Sequence, residues 1–152
     1  MHLTQFSDYS LRVVIYLGCR SGEWVSADEI SRAYRISRHH LVRVMQTLQT
    51  KSFIKISAGR GGGAVLARDP SQINLGEVVR QTERSFRIVE CFDAKKNKCP
   101  IVPVCGLRGI LGRALDSFFH VLDGYTLADL VRMKKGRKLA QFLHIEALHA
   151  AG

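Results

Sequence analysis

Along the first fifty residues apolar side chains return at helical spacing. Val13, Val14, Tyr16 and Leu17 make a dense face within a stretch from about Ser7 to Arg20, and Gly22 follows it, which predicts a first helix. In "SADEISRAY", Ser26 stands three residues before Glu29. That is the spacing of a capping box, in which each side chain satisfies a free backbone N–H of the other, and a short second helix is predicted there. In "RISRHHLVRVMQTLQTKS", Leu41, Val44, Met45 and Leu48 fall on one stripe behind Ser37 as N-cap, while Arg38, His39, His40, Arg43, Gln46 and Gln49 share the polar face. With only Arg35-Ile36-Ser37 between the two helices, the pattern is a helix-turn-helix.

The period then changes to two. "FIKISAGRGGGAVLA" alternates through Phe53 to Ser57, passes a glycine-rich tip and resumes near Ala64 to Ala67, which predicts a β-hairpin, the wing of a winged helix-turn-helix. The tip lacks the GxxxxGK[ST] spacing of a nucleotide-binding loop. After Pro70, "INLGEVVRQTE" predicts a short helix. A longer one runs from Leu107 toward Leu122, with Leu107, Ile110, Leu111, Ala114, Leu115, Phe118, Val121 and Leu122 as its stripe. Thr126 and Asp129 mark a further helix start in "YTLADLV". The expected fold is mainly α with a small β-hairpin: a winged helix-turn-helix over residues 1–70, a linking helix and cysteine loop over 71–106, a dimerisation helix and following short helix over 107–133, and a basic, partly mobile tail over 134–152. The dimer is expected because the domain is small and a winged helix reads two half-sites about 34 Å apart with two copies.

Charge sharpens this picture. The chain of 152 residues carries 23 Lys+Arg against 13 Asp+Glu, a formal charge of +10, which favours polyanions and above all nucleic acid. Arg38, His39, His40 and Arg43, at the start of the second helix of the motif, are the candidates for the major groove, and Arg60 at the wing tip for phosphate or a narrow minor groove. No stretch reaches the roughly 20 apolar residues of a spanning helix. The run Val13 to Cys19 lacks a basic segment before it, so a cytoplasmic protein without membrane association is expected.

Three of the four cysteines fall in "CFDAKKNKCPIVPVCG". Cys91, Cys99 and Cys105 are spaced too widely for the CxxC knuckles of structural zinc, and Pro100 and Pro103 stiffen the loop between the last two. Cys105 lies beside the start of the long helix, where N–H groups favour a thiolate. In a reducing compartment such a cluster points to metal or redox chemistry. Three thiolates suit an iron-sulfur cluster with one weaker, exchangeable ligand, and together with one histidine they also satisfy zinc. Cys19, within an apolar helix, reads as a packed thiol, and nothing further supports His2 or His120 as ligands. Without a CxxxCxxC radical motif or a ferredoxin-type run, the chain does not read as an enzyme.

Taken together, "MHLTQFSDYSLR", "SRHHLVRVMQTL", "GRGGGAVLA", the three cysteines and "YTLADLV" resemble the bacterial winged-helix iron-sulfur transcription regulators, the family that includes NsrR, IscR and RirA. The resemblance covers most of the chain. It implies a homodimeric regulator on a double-stranded operator, an inverted repeat. Similarity is greatest to the NsrR branch, which implies repression relieved by nitric oxide through a 4Fe-4S cluster, with 2Fe-2S as a degradation product. In that branch the fourth ligand is an aspartate from the other subunit, and the matching residue is Asp8 in "FSDY". By its position alone Asp8 is a first-turn acid paired with Arg12, worth a few tenths of a kcal/mol. The seven-residue gap from Cys91 to Cys99 is similar to the iron-responsive RirA branch. IscR members carry a histidine three residues after the last cysteine, where this chain has Arg108. An iron- or cluster-responsive regulator and a zinc-stabilised DNA-binding module are therefore the alternatives.

Overall fold

The computed structural model of the chain describes residues 2–20, 22–132 and 134–143. Its helices are α1 (Gln5–Cys19), α2 (Ala27–Tyr34), α3 (Arg38–Thr50), α4 (Leu75–Thr82), α5 (Leu107–Asp123), α6 (Leu127–Val131) and α7 (Lys134–Phe142). Strands β1 (Ile54–Ser57) and β2 (Gly63–Leu66) lie between α3 and α4. The fold is thus mainly helical with one small antiparallel sheet, as the periodicity predicts. Of the expected tail, Lys134–Phe142 is helical, and residues 144–152 lie outside the described residues.

The first two helices start where a side chain takes up a free N–H, though not always as the sequence suggests. α1 begins two residues ahead of Ser7, because Thr4 caps it by accepting the Ser7 N–H at 3.3 Å. At α2 only half of the capping box forms: the Ser26 hydroxyl accepts the Glu29 N–H at 3.1 Å, but the Glu29 carboxylate accepts the Tyr16 hydroxyl at 2.9 Å and faces Arg20 at 3.5 Å. Tyr16 is buried while Ser26 is only half-buried, so the phenol has the greater need of a protein partner. The Tyr16 hydroxyl is accordingly held protonated, its pKa pushed up to about 12 by burial and by the Glu29 carboxylate. Ser37 precedes α3 without donating or accepting a side-chain cap bond.

Antiparallel pairing sets Ile54 opposite Leu66 and Ser57 opposite Gly63 in the wing. Val25 adds a third partner, exchanging N–H···O bonds of 2.9 and 2.8 Å with Ala64. Gly63 allows that approach, since a Cβ there would stand 2.3 Å from the Val25 carbonyl oxygen and its φ is +153°. One apolar core then forms from α1, α2, α3, the wing and α6, with Leu17, Ile30, Leu41, Leu48, Phe53 and Leu127 among its fully enclosed side chains.

The long helix α5 behaves differently. The expected stripe is not what buries it: Phe119, one position off that stripe, is its buried residue. Phe119 meets Phe86 edge-on with centroids 4.7 Å apart and lies beneath Arg80, whose guanidinium is 4.2 Å from the ring centre. Both Arg80 terminal nitrogens donate to the Asp123 carboxylate at 2.6 Å, and the Asn74 side-chain amide donates to the Asp123 carbonyl at 2.7 Å. A Cβ on Gly76 would come within 2.0 Å of the same carboxylate. The C-terminal part of α5 is therefore clamped to α4, and Leu107 and Ile110 toward its start are exposed. Periodicity alone cannot choose the docking face of a helix that is apolar on several sides.

Candidate nucleic-acid interface and cysteine loop

Because Leu41, Val44, Met45 and Leu48 all turn inward, α3 presents Arg38, His39, His40, Arg43 and Gln46 to solvent. The first turn of α3 holds Arg38 and both histidines and no acid. Cations at the positive end of a helix dipole do not favour folding. The acid that bears on this turn comes from the neighbouring helix: Asp28 Oδ1 lies 2.8 Å from Arg38 Nε. His40 also faces the Tyr9 ring, with centroids 6.4 Å apart. Arg60 is exposed at the wing tip between Gly59 and Gly61, both of which take positive φ. The structure thus places all five candidate DNA-binding residues at the surface.

The cysteine loop connects α4 to α5. Cys91 sits in a short 3-10 turn, Glu90–Phe92, and Cys105 lies just before Gly106, which caps α5. Between Cys91 and Cys99 the chain is organised by Asp93. Its carbonyl accepts the Asn97 N–H at 2.9 Å, its carboxylate accepts the Lys95 N–H at 3.1 Å, and Arg87 pairs with the same carboxylate. Glu90 accepts the Lys98 N–H, and the Cys99 N–H donates to the Asn97 side chain at 3.1 Å. All three thiols are free and half-buried. Lys95, Lys96 and Lys98 stand exposed beside them. Soft, free sulfur donors within a cationic loop fit an anionic thiolate-held cluster.

Within one chain these donors do not converge: among the described residues no group of three or more His, Cys, Asp or Glu is close enough to hold an ion. Asp8 lies in the first turn of α1, where Arg12 binds its carboxylate through Nη2 at 2.7 Å and Nε at 3.1 Å. Arg12 in turn lies 5.7 and 5.8 Å from the Tyr9 and Tyr34 ring centres. Cys19 packs against the core, where burial raises its thiol pKa, making it a poor thiolate ligand.

Comparison with known proteins decides the family. The model of Rrf2, described as an iron-dependent transcriptional regulator, matches residues 3–133. The chain belongs to the Rrf2 family. It is 51% identical over 136 residues to the HTH-type transcriptional regulator NsrR of Bacillus subtilis, spanning 89% of this chain and 93% of that one. Among solved structures, a chain from Listeria innocua superposes with a TM-score of 0.71 at 27% identity, covering 88% of each chain. CymR, the global cysteine regulator of B. subtilis, superposes with a TM-score of 0.69 at 25% identity, covering 87% of this chain and 97% of that one. As an Rrf2 protein the chain is a transcription regulator, not an enzyme. No helix among the described residues is long and apolar enough to cross a membrane.

Sequence reasoning missed three groups that the Rrf2 fold brings into play. Asp28 was not singled out because its partner lies ten residues on, across a turn. Arg80 and Asp123 belong to different helices and carry no local signature. Glu83, at the end of α4, accepts the Thr4 N–H at 2.9 Å, the Thr4 hydroxyl at 3.0 Å and the Ser7 hydroxyl at 2.7 Å, fastening the start of α1 beside the loop.

Proposed function

We propose that this Rrf2 protein is a homodimeric repressor that binds an inverted-repeat DNA operator and senses nitric oxide through a 4Fe-4S cluster. The observation that carries this reading is a cationic loop with three free, half-buried thiols leading straight into a helix on which Leu107, Ile110 and Val121 stay exposed. Cys91, Cys99 and Cys105 would hold the cluster, with Asp8 of the partner subunit as fourth ligand. When bound, the cluster supplies an iron whose carboxylate ligand nitric oxide can replace. The name of the B. subtilis relative supports the same branch.

The protein's own residues do the rest. Leu107, Ile110 and Val121 of α5 cover the matching face of a second copy, removing apolar area from water in a symmetric interface. Arg38, His39, His40 and Arg43 enter the major groove, and Arg60 reaches from the wing. Lys95, Lys96, Lys98 and Arg87 neutralise charge at the loop. Glu83 links the end of α4 to the helix that bears Asp8, so loop geometry and α1 position move together. A hundredfold drop in operator affinity requires about 2.7 kcal/mol of coupling, within the ordinary range for allosteric proteins.

The family description as iron-dependent favours a second reading, in which iron supply is the signal. Anaerobic absorbance with iron and zinc analysis, followed by nitric oxide titration, separates these cases. Brown protein with about four irons per subunit that bleaches on nitric oxide supports the first reading. Brown protein indifferent to nitric oxide and emptied by a chelator supports the second, and colourless protein with stoichiometric zinc overturns both. Cys99→Ala is expected to lose iron and with it the response of operator binding to nitric oxide.

A further inference from the structure

At the front of the DNA-facing surface stands a carboxylate, which electrostatics alone would keep away from phosphate. Asp28 lies in the first turn of α2, its side chain 57% exposed, and Arg38 opens α3 with its side chain 65% exposed. So open an ion pair contributes little to folding. It also repels the polyanion that a basic protein attracts. A geometric role accounts for its position. The carboxylate oxygen faces Arg38 Nε at 2.8 Å, which leaves the outer edge of the guanidinium, Nη1 and Nη2, free for another acceptor pair. Two parallel N–H donors on a planar fork match the O6 and N7 acceptors of guanine in the major groove. An arginine side chain without a partner would serve phosphate equally well, whereas one ion-paired on its Nε side is biased toward one orientation before binding. Arg43 and Arg60 show no acidic partner among the described residues, so of the three arginines on this surface Arg38 alone is ion-paired.

We propose that Asp28 is a specificity-determining positioning residue, which holds Arg38 across the helix-turn-helix so that its outer edge reads a guanine in each operator half-site. This rests on the reading of α3 as the DNA-recognition helix. His39 and His40 then supply contacts to phosphate or to neighbouring bases, and Asp28 itself touches no DNA.

The test uses the full-length protein, prepared anaerobically, against a pool of duplexes in which every base pair of the half-site is varied. Wild type, Asp28→Asn, Asp28→Ala, Arg38→Ala and Asp28→Ala/Arg38→Ala are compared at one salt concentration. Arg38→Ala is expected to lose guanine preference at one position per half-site, by roughly 5- to 150-fold. Asp28→Ala and the near-isosteric Asp28→Asn lose most of the same preference at the same position, while their binding to non-operator duplex tightens because a negative charge is gone. The double variant shows no further change in base preference beyond Arg38→Ala. If Asp28 served only as a first-turn acid for α2, the Asp28 variants would bind all sequences more tightly with base preference intact, and the proposal would fall. It would also fall if Arg38→Ala weakened every duplex equally, since Arg38 would then contact phosphate. A wild type without any sequence preference would instead overturn the proposed function itself, and the two failures are therefore distinguishable.

Discussion

In the winged helix-turn-helix, the apolar side chains of α1, α3 and the segment entering β1 are enclosed by one another: Val13, Leu41, Leu48 and Phe53 are 0% exposed. On α5 the same kind of residue faces outward, with Leu107, Ile110 and Val121 at 53%, 55% and 59%. The first region satisfies its hydrophobic pattern within a single chain. The second leaves Leu107, Ile110, Ala114 and Val121 of its stripe open, and meets the body through the Phe86–Phe119 pair, the Arg80 guanidinium over Phe119, the Arg80–Asp123 ion pair and the Asn74 amide. An amphipathic stripe is therefore core in one place and an exposed apolar face in another, according to whether the chain itself supplies the facing element.

Truncating the centre of the first region is the most forceful way to test this contrast. Phe53→Ala, which also removes the ring beneath the Arg68 guanidinium at 4.8 Å, is expected to lower unfolding free energy by about 3–5 kcal/mol in urea titrations. The counterpart on α5, Ile110→Asp together with Val121→Asp, is expected to leave the helical content of the chain unchanged while converting the proposed dimer to monomer in sedimentation. Equal stability loss from both sets would abolish the distinction. Adding a methyl at the junction, Gly76→Ala, is expected to cost about 1–3 kcal/mol, because the new Cβ displaces the Asp123 carboxylate from Arg80. Arg80→Met, which keeps a side chain over Phe119 but loses the ion pair, would show how much of that loss is electrostatic.

The smallest expected effect is a pH dependence at Glu83, where the two regions meet. Burial there pushes the carboxyl pKa up, but hydrogen bonds from the Ser7 hydroxyl and from the Thr4 N–H and hydroxyl outweigh it, and the net shift is downward. Since the folded-state pKa lies below that of the unfolded chain, the contribution is complete above the ordinary glutamate range and is lost as pH falls through the folded value. Glu83→Gln is expected to lower neutral-pH stability slightly, toward the value wild type reaches in acid, and so to flatten the acid limb of the stability profile, as urea midpoints against pH would show.

Much of the fold was legible because neighbours on a helix lie three or four residues apart. Leu41, Val44, Met45 and Leu48 are all buried as their spacing required, and the hairpin forms between the two alternating segments. Asp129 accepts both the N–H and the hydroxyl of Thr126, at 2.7 and 2.8 Å, as the capping pattern anticipated. Local signals misled where a distant partner competed better. Glu29 left the Ser26 N–H for Tyr16, thirteen residues upstream, and Phe119 displaced the expected stripe because Arg80 and Phe86 wait on its side of α5. The site divides in the same way. The cations of α3 follow from its inward stripe, but the restraint on Arg38 by Asp28 depends on how two helices cross.

From its order of residues alone, this protein has the boundaries of α1 to α6 and of the hairpin to within a few positions, its positive charge, the exposed cationic face of α3 and a loop that carries three cysteines. Each of these depends on interactions between residues near in the chain, or on a simple sum over it. Tertiary structure decided which face of α5 docks, which acid steadies Arg38, and that Glu83 binds the start of α1, 79 and 76 residues away at Thr4 and Ser7. Those contacts are short-range forces between groups far apart in sequence, and only the folded chain brings such groups within their reach.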